Sequence, residues 1–383
     1  MENNTPNTNN FLNWVEIKNF KSIKDLRLDC KRVNVFIGKP NVGKSNILEG
    51  LGLLGVEYGT GKFMGGFARY ETVSDFFYDK DVLKGIYVES DQPSLSAALA
   101  KPSIILNEFN TDFSYEYYLG DSDSAKRIAS SEDIQINEDE SEKAALGYSR
   151  HNFRHFSLTK EGKVSQFAGQ GNYITKYKPG FVRKYDFGGL TTFTESSFPF
   201  LIPPDGNNLF SVISRNEALK DEFAKLFADQ RLELVLSNFD QNFELQKKEG
   251  FYVTKFPFFS VADTFRRFMF YITAIESNKD SVIIFEEPEV HSFPPYTQDI
   301  AYRMIYSEEN QFFVSTHSPY LLQTLVSNLS DDQLNVFVTY YENYETKVKA
   351  LTSEELGFVQ EYSADVFFNL DRFVPNAQSA NPA

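Results

Sequence analysis

The residues that could do chemistry in this chain lie in three short stretches, and their types suit a polyphosphate. Gly38-Lys39-Pro40-Asn41-Val42-Gly43-Lys44-Ser45 is a glycine, four residues, then Gly-Lys-Ser, the spacing of a phosphate loop. Its glycines let backbone N–H groups curl around a phosphate. A helix beginning there, Asn46 onward, adds its positive dipole end. Lys44 would place its charge on the β- and γ-phosphates, and the Ser45 hydroxyl would ligate Mg²⁺. The second stretch, Ser281-Val282-Ile283-Ile284-Phe285-Glu286-Glu287-Pro288-Glu289, is an apolar run ending in carboxylates. Glu286 would hold the metal, and Glu287 would orient an attacking water and accept its proton. The third, Phe312-Phe313-Val314-Ser315-Thr316-His317-Ser318-Pro319, ends in small polar residues and a histidine that could donate to a γ-phosphate.

Each stretch is an apolar run followed by polar residues, and this pattern dictates what must position them. A central parallel strand is apolar on both faces, and ligands of open α/β sheets gather at the carboxyl ends of such strands. Arg32-Val33-Asn34-Val35-Phe36-Ile37 supplies the strand before the phosphate loop. Trp14-Val15-Glu16-Ile17 and Leu26-Arg27-Leu28 predict, with it, an antiparallel element of three short strands beside the parallel core.

Composition narrows the class. The 383 residues, 42% hydrophobic, allow two domains or one large domain with insertions. The single cysteine, Cys30, excludes an internal disulfide and fits a reducing, cytoplasmic setting. No run approaches the ~18 apolar residues of a membrane span, so no membrane partner is expected. A net charge of −15 opposes generic adhesion to nucleic acid.

Between these stretches the chain predicts a polar tail at 1–12, a flexible connection from Gly55 to Gly66, and paired strands at Ser103–Leu106 and Phe113–Tyr118 turning at 110–112. Asp121–Glu142, dense in acidic residues and serine, reads as an exposed insertion. Residues 149–184 carry Arg150, Arg154, Lys160, Lys163, Lys176, Lys178, Arg183 and Lys184 among aromatics. They form either a solvated face of a sheet or a contact for DNA or an acidic partner. A helix capped by Asn207 or Asn208 should run to about Gln230, followed by three strands. A second helix spans Asp263 to Asn278. The expected division is a tail (1–12), the first part of a head (13–120), an inserted lobe (121–250), the second part of the head (251–372) and a tail (373–383).

In order and wording, Val15-Glu16-Ile17-Lys18-Asn19-Phe20-Lys21-Ser22-Ile23, Glu286-Glu287-Pro288-Glu289-Val290-His291 and Ser315-Thr316-His317-Ser318-Pro319 resemble the soluble branch of the ATP-binding-cassette ATPases. That branch includes RecF-like, chromosome-maintenance and overcoming-lysogenization-defect-type enzymes, and the likeness covers roughly residues 14–56 and 256–325. The resemblance implies an α/β P-loop NTPase: an ABC-ATPase-like head with a mixed sheet, an antiparallel N-terminal β element and an inserted lobe. It implies ATP and Mg²⁺ as ligands and a homodimer sandwiching ATP, with Ser260 reaching the γ-phosphate of the partner. It also implies slow hydrolysis. The family's signature survives only as Ser260-Val261-Ala262-Asp263, no glutamine loop is assigned, and Glu286 stands where Asp is usual. Unit charges ~4 Å apart at an effective dielectric of ~20 repel by roughly 4 kcal/mol, so Asp263 should turn away from a bound phosphate. The residues after the histidine stretch leave no room for the nuclease domain of overcoming-lysogenization-defect proteins. The resemblance therefore points to an ATPase switch acting on a separate effector, a nuclease or toxin, in anti-phage or toxin–antitoxin function. A RecF-like DNA-repair ATPase and a non-hydrolysing nucleotide-bound scaffold are the alternatives.

Overall fold

The computed structural model describes residues 9–58, 62–92, 95–106, 111–130, 154–168, 180–237, 240–362 and 366–374. Its centre is a six-stranded sheet. The antiparallel strands β1 (Trp14–Phe20) and β2 (Ile23–Asp29) lie outside it, whereas β3 (Val33–Ile37) runs into the phosphate loop and α1 (Lys44–Gly52) leaves it. The next elements are β4 (Ile86–Ser90), β5 (Ser96–Leu99), β6 (Ser103–Leu106), β7 (Thr111–Gly120), α2 (Ser122–Ser130), β8 (Arg154–Leu158), β9 (Val164–Ala168) and β10 (Val182–Tyr185). Then come α3 (Leu209–Arg215), α4 (Glu217–Lys225), β11 (Glu233–Ser237), β12 (Asn242–Glu249), β13 (Tyr252–Pro257), α5 (Asp263–Ser277), β14 (Val282–Glu286) and α6 (Pro294–Tyr306). The last are β15 (Gln311–Ser315), α7 (Pro319–Asn328), β16 (Leu334–Glu342), β17 (Glu345–Ala350) and α8 (Ser353–Glu361).

The central order is β10-β14-β15-β3-β16-β17, parallel except for the β16–β17 hairpin. Alternation along these strands feeds two cores. Val33, Val35, Ile283, Phe285, Phe312 and Val314 point to one face, which α5, α6, α7 and α8 cover. Phe36, Val282, Ile284 and Phe313 point to the other, against α1 and an antiparallel sheet of order β2-β1-β4-β5-β7-β8-β9, with β6 on β7. The protein is thus an α/β P-loop fold of helices, a mixed sheet, and an antiparallel sheet beside α1. Register places Glu286 opposite Ser315 and Ser315 opposite Phe36, so three strand ends distant in sequence form one row.

Several expectations are corrected. Strand β3 is not in the antiparallel element: both its edges pair in parallel, with β15 and β16, and its residues are buried on both faces. The polar start is held down: Leu12 is buried and exchanges hydrogen bonds with the Gln311 side chain, and Asn10 donates to the Asp280 carbonyl. Within Gly55–Gly66, a 3₁₀ turn reaches Tyr58 and Phe63 and Met64 are buried, while 59–61 lie outside the described residues. Thr111 and Asp112, expected in a turn, are the first residues of β7. Of the expected acidic insertion, 122–130 is helix α2, its first turn held by the Asp121 carboxylate; 131–142 lies outside the described residues. The helix after Asn208 breaks at Asn216, which caps α4. The Asn208 side chain instead bonds Ile202 and Phe200 across a turn. The three strands after it do form one sheet, β11-β12-β13.

The basic stretch meets the largest revision. Arg183 and Lys184 are buried in β10, inside the core sheet, although they fall within the expected lobe 121–250. The Arg183 guanidinium lies over the Phe200 ring and donates to the Asn278 side chain. Neither side chain is available as a surface contact. Arg150, Lys176 and Lys178 lie outside the described residues.

Candidate functional site

The phosphate loop is shaped by what presses on it. A Cβ at Gly38 would lie 2.4 Å from the Thr339 carbonyl oxygen of β16. Gly43 has φ +101°, and a Cβ there would lie 1.9 Å from the Thr346 hydroxyl of β17. Only glycine permits both the left-handed backbone and this approach. Thr346 in turn donates to the Val42 carbonyl and shares a hydrogen bond with Ser22, which accepts from the Asn46 amide. The β1–β2 turn, the start of α1 and the β16–β17 hairpin are therefore bound together around the loop.

A cleft of about 390 Å³ opens above it, lined among others by Pro40, Asn41, Gly43, Lys44, Ser45, Asn46, Arg69, Glu287, His317 and Tyr341. The Lys44 ammonium, nearly buried, donates to the Gly38 and Lys39 carbonyls at 2.9 and 3.0 Å. Burial lowers its pKa, against the pull of Glu287 and Glu286. Ser45 Oγ hydrogen-bonds Glu286 Oε1. His317 Nε2 is 3.4 Å from Glu287 Oε1. Burial and then Lys44 push its imidazole below its ordinary value, with Glu287 opposing, which favours the neutral ring. Glu287 has φ +45°, a left-handed backbone just past the end of β14.

The structure thus brings Lys44, Ser45, Glu286, Glu287 and His317 to one place. Gly38 and Val42 do not line the cleft. Lys39 turns outward to Asp371 at 2.7 Å, an exposed pair. Ser260 is exposed in the turn before α5, donating to the Pro257 carbonyl, and does not line this cleft. Asp263 is turned to its own helix, accepting from Arg267 at 2.7 Å and Arg266 at 3.3 Å.

The sequence reading assigned no role to several residues here. Arg69 bridges the buried Glu49 and Glu286, each at 3.3 Å. Lys184, read as part of a basic surface, has its ammonium 3.7 Å from Glu286 Oε2. Tyr341 and Ser22 line the cleft, and Glu289 holds the turn that carries His317. For Ser22 and Glu289 the signal was available, since both lie inside the quoted runs. For Arg69 no local pattern existed.

The donor set suits a hard cation bound together with phosphate. Ser45 and Glu286 offer a hydroxyl and a carboxylate oxygen, as Mg²⁺ prefers. Among the described residues no group of three or more His, Cys, Asp or Glu side chains could hold an ion by itself. Phosphate oxygens would have to complete the shell.

Loop, strand ends and topology define the class, a P-loop NTPase. The chain belongs to the family described as "AAA domain, putative AbiEii toxin, Type IV TA system", which matches residues 33–323. No curated protein matches it. It is similar to an SMC head bound to the C-terminal winged-helix domain of ScpA, at 16% identity and a TM-score of 0.46 over 91% of this chain and 99% of that one. It is also similar to a Pyrococcus furiosus-derived Smc head with an extended coiled coil bound to the C-terminal domain of ScpA, at 14% identity and TM-score 0.46 over 92% and 98%. For the SMC head domain of Thermotoga maritima the values are 10%, 0.36, 89% and 99%. No helix among the described residues is long and apolar enough to cross a membrane.

Proposed function

We propose that this protein binds and slowly hydrolyses ATP, and that two copies close on the nucleotide as a switch controlling a separate effector in the cytoplasm. The observation carrying the reading is the meeting of Lys44, Ser45, Glu287 and His317 on one cleft from three strand ends, with Glu286 bonded to Ser45 at its side. Lys44 leaves its loop carbonyls and pairs with the β- and γ-phosphates. Glu287 takes a proton from water as its oxygen attacks the γ-phosphorus, the bond to the bridging oxygen breaks, and ADP and phosphate leave. His317, neutral and able to donate, faces the γ-phosphate beside Glu287. Ser45 and Glu286 would hold Mg²⁺, which when bound neutralises charge on the phosphate oxygens.

The effector reading is supported by the family's description as a type IV toxin–antitoxin component. It is further supported by the exposure of Ser260 at the start of α5, where a second copy could meet it. The test is phosphate release with wild-type protein, Lys44→Ala and Glu287→Gln, and molecular mass with ATP. Release should vanish in Lys44→Ala. Glu287→Gln should bind ATP and accumulate as a dimer; a strict monomer would refute the switch. The DNA-repair alternative rested on the basic stretch, and the burial of Arg183 and Lys184 withdraws two of its eight basic residues. DNA-stimulated release lost on reversing Lys176 and Lys178 would restore it.

A further inference from the structure

A carboxylate that the proposed chemistry leaves unused sits between its two turns. Glu289 Oε1 accepts three hydrogen bonds from consecutive residues beyond β15: Thr316 Oγ1 at 2.7 Å, the His317 N–H at 2.7 Å and the Ser318 N–H at 3.1 Å. Its other oxygen, Oε2, is shut off from solvent with no hydrogen-bond partner among the described residues. Two residues earlier the Glu287 N–H donates to the Ser315 carbonyl at 3.0 Å. The turn holding Glu289 is itself rigid, with Val290 donating to Glu287 and Ser292 to Glu289 through the main chain. Thr264, in the first turn of α5, donates to the His291 carbonyl at 2.7 Å.

We propose that Glu289 is the positioning residue of this site, fixing the backbone that carries His317 against the backbone that carries Glu287. Three donors converging on one carboxylate oxygen leave that turn no freedom to slide along β14. The 3.4 Å separation of the His317 and Glu287 side chains depends on this anchor. A buried carboxyl with one oxygen unpartnered is poorly placed for stability alone, since a desolvated acid is unfavourable unless its hydrogen bonds compensate. Burial accordingly raises its pKa. The Thr264 contact extends the anchor to α5, the helix that Ser260 precedes. This inference rests on the hydrolytic reading of the site only for its effect on turnover. Its effect on His317 stands apart from that reading.

The experiment uses full-length protein with isotopically labelled histidine. The chain has four histidines, so His317 is resolved by NMR and assigned with His317→Gln. In wild type the His317 ring, facing Lys44 and Glu287 and close to Phe367, titrates below its ordinary value. In Glu289→Ala the turn loosens, and the His317 titration moves up towards that value. Turnover falls by about 10–100-fold, as for other residues that orient a reacting group, with the ATP dissociation constant within about 2-fold. Glu289→Gln, whose amide oxygen can accept the same three donors, retains both properties. Should Glu289→Ala fail to fold, Thr316→Val removes one donor and shifts the His317 titration the same way by a smaller amount. An unmoved His317 in either variant, or loss of ATP affinity in parallel with turnover, would overturn the proposal. A wild type that releases no phosphate would overturn the hydrolytic reading alone, while the His317 titration would still decide the role of Glu289.

Discussion

Two carboxylates three residues apart leave the same strand and are treated in opposite ways. Glu286 faces cations, with Lys184 buried on one side and Arg69 largely exposed on the other, and touches the Ser45 hydroxyl. Among the described residues Glu289 meets no cation, and it is held by a hydroxyl and two main-chain N–H groups. The first is compensated by charges that can be exchanged, which suits its proposed role of releasing one partner to accept a metal. The second is compensated by fixed dipoles, as a group that must not move requires. The difference separates the proposed metal ligand from the proposed anchor where the sequence shows only Glu-Glu-Pro-Glu.

The contrast breaks most sharply at Glu286. In Glu286→Gln, Lys184 keeps its place in β10 and loses its counter-charge. Removing one partner of such a pair costs about 1–3 kcal/mol, tempered by the partial exposure of Glu286. A lower denaturation midpoint is expected, together with loss of Mg²⁺-dependent phosphate release. A variant of wild-type stability would mean that Lys184 does not rely on Glu286. Lys184→Met sharpens the same point from the other side. Removing the lysine leaves a carboxylate that is partly exposed and still paired with Arg69, so the cost should be below about 1 kcal/mol and smaller than for Glu286→Gln. Thermal melts should show a smaller loss than Glu286→Gln, and a larger one would mean that Lys184 contributes more than its pair with Glu286.

These residues also show what the sequence could carry. The phosphate loop, the apolar strands and their polar ends were legible because each is local: a spacing, a run, a break. Their convergence followed from the rule that ligands gather at the carboxyl ends of parallel strands. Lys184 was misread because charge near aromatics is the same pattern on a wet face and in a sheet core. Only the pairing of β10 with β14 distinguishes them, and that contact joins Lys184 to Ile284, far outside any local window of sequence. The break at Asn216 escaped notice because the apolar spacing continues across it, while the capping side chain alone marks the new start. Arg69 had no signal at all. It reaches Glu286 only because α1 and the segment after it fold back beside β14.

Arg69 offers the finest test of the exchangeable side of the contrast. It is 74% exposed at its side chain, so its pair with Glu286 should contribute below about 1 kcal/mol and Arg69→Ala should hardly move the denaturation midpoint. The effect should appear instead in metal dependence. With the guanidinium gone, Glu286 has one competing cation fewer, and Mg²⁺ has less to displace. A pair of that strength corresponds to about a 2–5-fold shift, so the Mg²⁺ concentration for half-maximal phosphate release should fall by that factor. A rise would show that Arg69 acts on the bound phosphates rather than as a stand-in for the ion. No change at all would leave the Lys184 and Lys44 ammonium groups to tune Glu286, and the contrast with Glu289 would then rest on buried amines.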